Sequence, residues 1–360
     1  MLGKVLQMNR SIGAGQNIWT YRKIQPYIIL MLSLLLTAYV WRLSDNFIKS
    51  QTHQRFLFRV SDITKAIVQR LDDYRIILAG GVGLFAVSDD VNREQWRTYV
   101  NSLRLGDNFP GIQGVGFSMR IGPQEKQDHI IGVRAEGFPE YAVRPEGARE
   151  EYTSIIYLEP FDFRNQRAFG YDMFSEPIRR TAMKRARDTG EVAVSGKVIL
   201  LQETDQNIQA GFLMYVPVYT RHMPINTVEE RKSALLGYVY SPFRIGDLIE
   251  GIFGKTPPDI DLEIYDGFGP SRNGLMYDSD SDPYGLASSR DRLFSKTEII
   301  STYGQQWTLV FSARPSFERI DEHYQPMAIL GFGLAISLLL FLFTRSQEIT
   351  RERAVSWLVI

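Results

Sequence analysis

Two stretches of the chain carry no charge at all. Residues 26–41 read PYIILMLSLLLTAYVW and residues 327–343 read MAILGFGLAISLLLFLF. Each is 16–17 residues long, the short end of what a roughly 30 Å hydrocarbon core needs. Arg22 and Lys23 precede the first run and Arg345 follows the second. The pattern predicts two transmembrane helices, at 24–42 and 327–344. A buried core helix is the rival for either run, and a cleaved signal peptide for the first. The first run ends TAYVW with no small-x-small cleavage site after it, which favours an uncleaved anchor. Lys4, Arg10, Arg22 and Lys23 put only positive charge in residues 1–23. By the positive-inside rule that segment is cytoplasmic. Two crossings return 345–360, with Arg345, Arg351 and Arg353, to the same side, and 43–326 is expected outside the cytoplasmic (inner) membrane of a bacterium.

After the first anchor the period changes. Phe56, Val60, Ile63, Ile67, Leu71, Tyr74 and Leu78 recur at a mean spacing of about 3.67, an eleven-residue rather than a seven-residue repeat. This predicts a long helix, within a stalk and connecting region at 43–105. Its apolar stripe is either a seam between two copies, with Phe56 to Ile67 facing the twin, or a face packed on its own domain. Gly80, Gly81 and Gly83 interrupt the stripe, as a helix break or a close helix contact. GGVGLFA is a poor dinucleotide fingerprint because it follows a helix, not a strand. Asn92 and Gln95 form a capping box for the next helix, whose inner face is Trp96, Tyr99, Val100 and Leu103.

From about residue 106 short strands and helices are mixed. Strands are expected at 111–121, 152–161, near 191–201 and at 210–219, and helices at 123–134 and from a Ser175 cap to about Asp188, closed by Gly190. AGFLMYVPVY (210–219) is apolar on both alternating faces, so it is expected to be buried on both sides, one in the core and one lining a pocket. A second unit, 226–318, holds the strands LLGYVYSPF and DIDLEIYD with the helix RIGDLIEGIFG between them, then a hairpin around Gly304. Residues 270–292 read as a loop. Residues 319–326 are expected to return as a helix into the second anchor. Strands without regular strand-helix alternation indicate α+β units with antiparallel sheets.

Composition narrows the chemistry. Lys plus Arg and Asp plus Glu are both 41, so formal net charge is zero, which argues against a nucleic-acid partner. Cysteine is absent, excluding disulfides, thiolate metal sites and cysteine nucleophiles. The four histidines, at 53, 129, 222 and 323, are far apart, which excludes HExxH. No phosphate loop, nucleophile elbow or kinase signature is present, so no catalytic residue, metal or cofactor is expected. Paired acids such as Asp89–Asp90, Glu150–Glu151 and Asp259/Asp261 read as solvated loop residues. Arg179, Arg180, Lys184, Arg185 and Arg187 gather on the helix 176–188 as a solvated face or, alternatively, a site for an anionic ligand or lipid headgroup. Asp172 stands among Phe169, Tyr171, Met173 and Phe174. A buried carboxylate there needs a partner: either a cap or salt bridge for the following helix, or a ligand.

PGIQGVGFSMR (110–120), YLEPFDFRNQRAFGYDMFSEPIRRTAMKRARDTGEVAVSGKVILLQE (157–203) and GFLMYVPVY (211–219) resemble the CHASE domain, the extracellular sensing domain of receptor kinases and cyclases. The resemblance covers roughly residues 50–320, most specifically 157–219, and the neighbouring residues look like the bacterial branch. It implies a stalk helix and two tandem PAS-like domains, a membrane-distal ligand-binding one at 106–225 and a membrane-proximal one at 226–318. In the family's plant cytokinin receptors an aspartate followed by methionine binds an adenine-type ligand, and Asp172 matches that position. Val194 matches a backbone contact just after the helix. With Tyr171, Met214 and Tyr215 these are the candidate ligand-binding residues, and the ligand implied is a nitrogen heterocycle or amine. The residues after 345 fit no kinase or cyclase motif. The chain therefore reads as the input half of a sensor histidine kinase or nucleotide (diguanylate) cyclase, dimeric through its stalk. The alternative is a membrane-anchored binding or scaffold protein.

Overall fold

The computed structural model describes residues 2–88, 90–109, 111–203, 208–254, 259–279, 294–314, 317 and 320–357. Side chains are described within these spans for 24–317, 324–351 and 353. Asp89, Pro110, residues 280–292 of the loop-like stretch, residue 319 and residues 358–360 lie outside the described residues.

The chain divides into two units, residues 1–57 with 316–360, and residues 58–315. Helix α1 (Leu2–Val87) begins in the first and ends in the second, and helix α9 (Ile320–Trp357) belongs to the first. Both contain a segment long and apolar enough to cross a membrane, within Ile24–Val87 and Tyr324–Arg351. Leu35, Leu36, Leu339 and Phe343 on these segments are exposed, as suits helices solvated by lipid. The two helices meet through small residues. Thr37 fills the place a side chain on Gly333 would take, and Ser337, one turn further on, is buried. Ser337 Oγ donates to the Gly333 carbonyl and Thr37 Oγ1 to that of Ser33, so both hydroxyls are paired within their own helices. At the far end the rings of Tyr27 and Phe341 lie 5.5 Å apart.

In the second unit α1 supplies a wall. Val60, Ile63, Ile67, Leu71, Tyr74 and Leu78 are all at most 1% exposed within a single copy. Each such burial contributes roughly 1.5–3 kcal/mol. The stripe is thus taken up by the chain's own fold, and the seam expected at Phe56 to Ile67 is not available to a twin. Gly80, Gly81 and Gly83 do not break α1, which runs to Val87. Gly80 and Gly81 permit a close contact instead. Helix α2 (Arg93–Leu103), with the Asn92–Gln95 capping box in place, brings Trp96 and Tyr99 against Gly80 and Gly81. A short α3 (Leu105–Asn108) leads into the first sheet.

That sheet is antiparallel, in the order β2-β1-β6-β5-β3, with β4 also on β5. Its strands are β1 (Val115–Ile121), β2 (Tyr152–Glu159), β3 (Ala193–Val194), β4 (Val198–Ile199), β5 (Ala210–Tyr219) and β6 (Leu235–Arg244). Helices α4 (Lys126–Ala135), α5 (Phe163–Gln166), α6 (Pro177–Thr189) and α7 (Val228–Ala234) lie on the excursions between them. LLGYVYSPF was expected in the second unit, but β6 pairs along its length with β5 and, over residues 237–240, with β1. Its alternation fits either sheet; only the register with β5, Gly211↔Arg244 to Val218↔Gly237, decides. One sheet face carries Phe117, Phe212 and Phe243. Tyr74 of α1 stacks on Phe243 at 4.8 Å and Phe85 lies 4.3 Å from Phe117. The opposite face carries Leu213, Tyr215, Tyr238 and Tyr240, clustered with Ala182, Met183 and Ala186 of α6.

Glu176, not Ser175, caps α6, its carboxylate accepting from the N–H groups of Ile178 and Arg179. The charged side of α6 is not uniformly solvated. Arg179 and Arg187 are buried, at 4% and 8% exposure, while Ile178 points outward.

After α8 (Ile245–Phe253) a second antiparallel sheet follows, ordered β8-β7-β10-β9. Its strands are β7 (Ile260–Asp266), β8 (Leu275–Asp278), β9 (Ser295–Thr302) and β10 (Gln305–Ala313). Strand β8 lies in the stretch read as loop, too short and too polar to stand out. The fold is therefore α+β, with two antiparallel sheets and two apolar helices.

Candidate functional site

Asp172 lies just before a 3₁₀ turn, Met173–Ser175, that joins the edge of the first sheet to α6. It bridges to Ser154 of β2 and is fully buried. Oδ1 accepts from the Thr153 N–H at 2.8 Å and the Phe174 N–H at 3.1 Å. Oδ2 has no hydrogen-bond partner; Nη1 of Arg149 is 3.5 Å away as an ion pair. Burial raises the carboxyl pKa above its ordinary value, and the Thr153 N–H, Arg149, the Phe174 N–H and Lys126 pull it back. One oxygen thus fixes the turn, and the other faces a guanidinium already occupied with the carbonyls of Pro145, Glu146 and Gly147.

The remaining candidates divide by strand parity. Tyr215 pairs with Tyr240 and Ala193 and shares their face, under α6. Its hydroxyl donates to Met173 Sδ at 3.6 Å, and burial pushes its pKa well up. Tyr171 packs against the same cluster, with the Arg179 guanidinium 5.1 Å over its ring. Met214 pairs with Val194. Being one residue from Tyr215 and Ala193, both side chains take the opposite face. Tyr171 and Tyr215 therefore lie with the α6 cluster, and the Met214 and Val194 side chains do not; Asp172 stands beside Thr153 of β2. The Val194 N–H donates to the Tyr303 carbonyl at 3.0 Å.

Sequence reasoning missed the unpaired polar atoms of the first sheet. Ser118 of β1 sits opposite Tyr238, and Gly116 opposite Tyr240, whose ring lies across Gly116 where a Cβ would be. Ser118 Oγ, Tyr238 OH, Tyr240 OH and the neighbouring Thr153 Oγ1 are buried without a hydrogen-bond partner, as is Arg179 Nε. A buried polar group left so costs about 1–3 kcal/mol. Four hydroxyls and one carboxylate oxygen in this state within one domain mark polar chemistry that packing alone does not explain. The signal available in sequence was the Tyr-x-Tyr of LLGYVYSPF, but without the register β6 stood in the wrong sheet.

Residues 89–277 match the family model described as CHASE domain. Over 287 residues the chain is 24% identical to "Hybrid signal transduction histidine kinase A" of Dictyostelium discoideum, covering 71% of this chain and 13% of that protein. Over 141 residues it is 27% identical to "Probable histidine kinase 5" of Oryza sativa subsp. japonica, covering 38% of this chain and 11% of that protein. The chain spans only a small part of the length of these curated relatives.

Proposed function

The chain belongs to the CHASE-domain family, and from that premise we propose that it is the extracytoplasmic sensing half of a histidine-kinase-type receptor, held in the membrane by α1 and α9. It is a sensor module homologous to the sensor regions of histidine kinases. In this reading the two sheets are two PAS-like domains. The first, made of β1–β6 and their helices and so extending past residue 225, takes the ligand. The second is the four-stranded domain. A bacterial inner membrane is the setting we assign, and the kinase output lies in sequence beyond this sensor.

The observation that carries the ligand site is Asp172, fully buried with Oδ2 free of hydrogen bonds. Thr153, whose N–H binds Asp172, and Ser118, Tyr238 and Tyr240 of the same sheet hold unpaired hydroxyls, and Tyr171 and Tyr215 supply aromatic surface. A carboxylate oxygen accepts from an N–H, so the ligand presents a nitrogen heterocycle or an amine to Asp172. Arg149, 3.5 Å from the same oxygen, repels a cation and so favours the neutral heterocycle. Val194 contributes through its backbone, and Met214 supports the sheet from behind.

The test is calorimetry and thermal shift on the full chain in nanodiscs, with adenine as a neutral heterocycle and putrescine as an amine. The expected result is a rise in apparent stability with adenine and a ten- to hundredfold loss of affinity in Asp172→Asn, from a charge-assisted bond of about 1.5–3 kcal/mol. Binding that is indifferent to Asp172→Asn removes the residue from the site. No response to either probe removes the heterocycle-or-amine reading.

Two copies are proposed to pair along α1, but not on the stripe first expected. The outward face, with Phe58 at 73% and Ile76 at 59% exposure, is the one left for a twin.

A further inference from the structure

Three elements near the candidate site converge on one two-residue turn. The β9–β10 hairpin closes through Tyr303 and Gly304, at φ 46° and 81°, between the paired residues Thr302 and Gln305. Two consecutive left-handed residues make the tight hairpin turn that matches strand twist, and a tyrosine in the first place is unusual. Its main chain and side chain point to different parts of the protein. The Tyr303 carbonyl accepts from Val194 N–H, on the strap 193–199 that carries β3 and β4. The Tyr303 hydroxyl donates to Asp72 of α1, and Arg75 Nε stands 3.6 Å from the same carboxylate. Arg185 of α6 lies against Gly304.

A second tie runs beside the first. Asp266, at the end of β7, accepts from the Lys197 N–H at 2.7 Å through Oδ2 and from Gln305 Nε2 at 2.5 Å through Oδ1. The strap is therefore fastened twice to the second sheet, and the second sheet is fastened to α1 at Tyr303. Strand β9 adds a further contact, Thr64 Oγ1 donating to Glu298 at 2.9 Å. The strap itself is held to β5 by two short pairings of two residues each and, between them, by the exchange of two hydrogen bonds between Ser195 and Leu213, so it is a briefly laddered segment.

We propose that Tyr303 is a clasp through which the state of the strap, and with it occupancy of the Asp172 site, is passed to α1. The inference deepens the ligand-site reading and rests on it. A two-residue turn of this type holds its carbonyl and its phenol in a fixed relation. A shift of the strap beyond hydrogen-bond tolerance either carries Tyr303 along, disturbing Asp72, or breaks the Val194 bond. The coupling is reciprocal: loosening Asp72 loosens the strap. The test measures the coupling itself.

The experiment is amide hydrogen exchange on the full chain in nanodiscs without ligand, in wild type, Asp72→Ala, Tyr303→Phe and the double variant. Tyr303→Phe keeps the carbonyl that Val194 uses and removes only the hydroxyl, so any change at Val194 has travelled through the turn. The expected result is exchange at Val194 and Lys197 raised about fivefold or more, the low end of ordinary coupling. Amides of β1 and β6 stay unchanged, and the double variant shows no more than either single one. Unchanged strap exchange, additive single effects, or equal acceleration through both sheets each overturn the clasp. Adenine and putrescine binding measured on the same samples and on Asp172→Asn separates the two claims. Binding that depends on Asp172 with no strap coupling removes the clasp alone. Strap coupling with no binding of either probe in wild type removes the site and the signalling role of the clasp with it.

Discussion

The hydroxyl of Tyr99 occupies the place of a side chain on Gly80: it donates to the Ile77 carbonyl at 2.6 Å and lies 2.6 Å from where a Gly80 Cβ would be. An alanine in a helix interior ordinarily stabilises by about 1 kcal/mol over glycine. Here that gain is opposed by overpacking, which costs typically 1–3 kcal/mol. Gly80→Ala is expected to lower the thermal midpoint of the full chain. The next nearest atoms to that Cβ are Tyr99 ring carbons at 3.5 and 3.6 Å, ordinary contacts. In a Tyr99→Phe background Gly80→Ala is therefore expected to be neutral or stabilising. The double-mutant cycle checks this; a stabilising Gly80→Ala in the wild-type background refutes the contact.

Asp172 sets a second expectation. Its folded pKa is raised, chiefly by burial, so the folded state binds this proton more tightly than the unfolded chain does. Stability from this group is present at low pH and lost as pH rises through the raised pKa. At neutral pH the ionised carboxylate is a cost that the ligand-free protein carries. Asp172→Asn keeps an acceptor for the N–H groups of Thr153 and Phe174 and gives up the ion pair with Arg149. The ligand-free variant is expected to match or exceed wild-type stability at pH 7.5, with the advantage shrinking toward pH 4. Thermal melts across that range decide it. A variant clearly less stable at pH 7.5 assigns Asp172 to structure rather than to a ligand.

The contrast between these two sites shows what a sequence of this kind discloses. The capping box at Asn92, the α6 boundaries near Pro177 and Gly190 and the hairpin at Gly304 rest on local chemistry, and the structure places them within a residue or two of expectation. Asp172 could be singled out because a carboxylate among aromatic neighbours is a local conflict. The hydroxyls of Ser118, Tyr238 and Tyr240 could not, since alternation along β6 says which residues share a face but not which sheet receives it. Arg179 and Arg187 looked solvated on a helical wheel because the wheel holds no partners. Their burial depends on the Ile199 carbonyl for one and on Glu151 and Asp188 for the other. The α1 stripe was legible as a stripe, and its partner was not.

His129 is expected to make the first sheet's edge sensitive to mild acid. Its Nε2 is 2.8 Å from the Tyr141 hydroxyl, which in turn is 2.7 Å from Ser154 Oγ, the residue bridged to Asp172. Burial lowers the His129 pKa below its ordinary 6.5, with Glu136 opposing. The unfolded chain therefore protonates first as pH falls. The stability this group contributes is full above pH 6.5 and is lost as pH falls from there through the lowered folded value. This is the opposite sign to Asp172, so the two are separable by variant. His129→Gln is expected to flatten the loss between pH 7.5 and 5.5 in melts of the full chain. An unchanged slope shows that the group does not control it.

The pairing of two copies is open to direct test because the chain has no cysteine of its own. Phe58 and Ile76 are eighteen residues apart, five turns at 3.6 residues each, and lie on one face of α1 with Lys65 between them. Val60, Ile63 and Ile67 are at most 1% exposed, so a cysteine there cannot meet its twin without unfolding the domain. Single cysteines placed along 58–76 in membranes are expected to crosslink most at 58, 65 and 76 and least at 60, 63 and 67. Two copies of one helix in parallel bring identical positions together, which is why a single substitution suffices. Lys65 facing its own copy costs little where both ammonium groups keep their water, since two unit charges a few ångströms apart in bulk water repel by only about 1 kcal/mol. Crosslinks that peak at the buried stripe instead restore the seam first read from the sequence and require the domain to open. A flat profile leaves the outward face of α1 without a twin and ends the case for pairing through this helix.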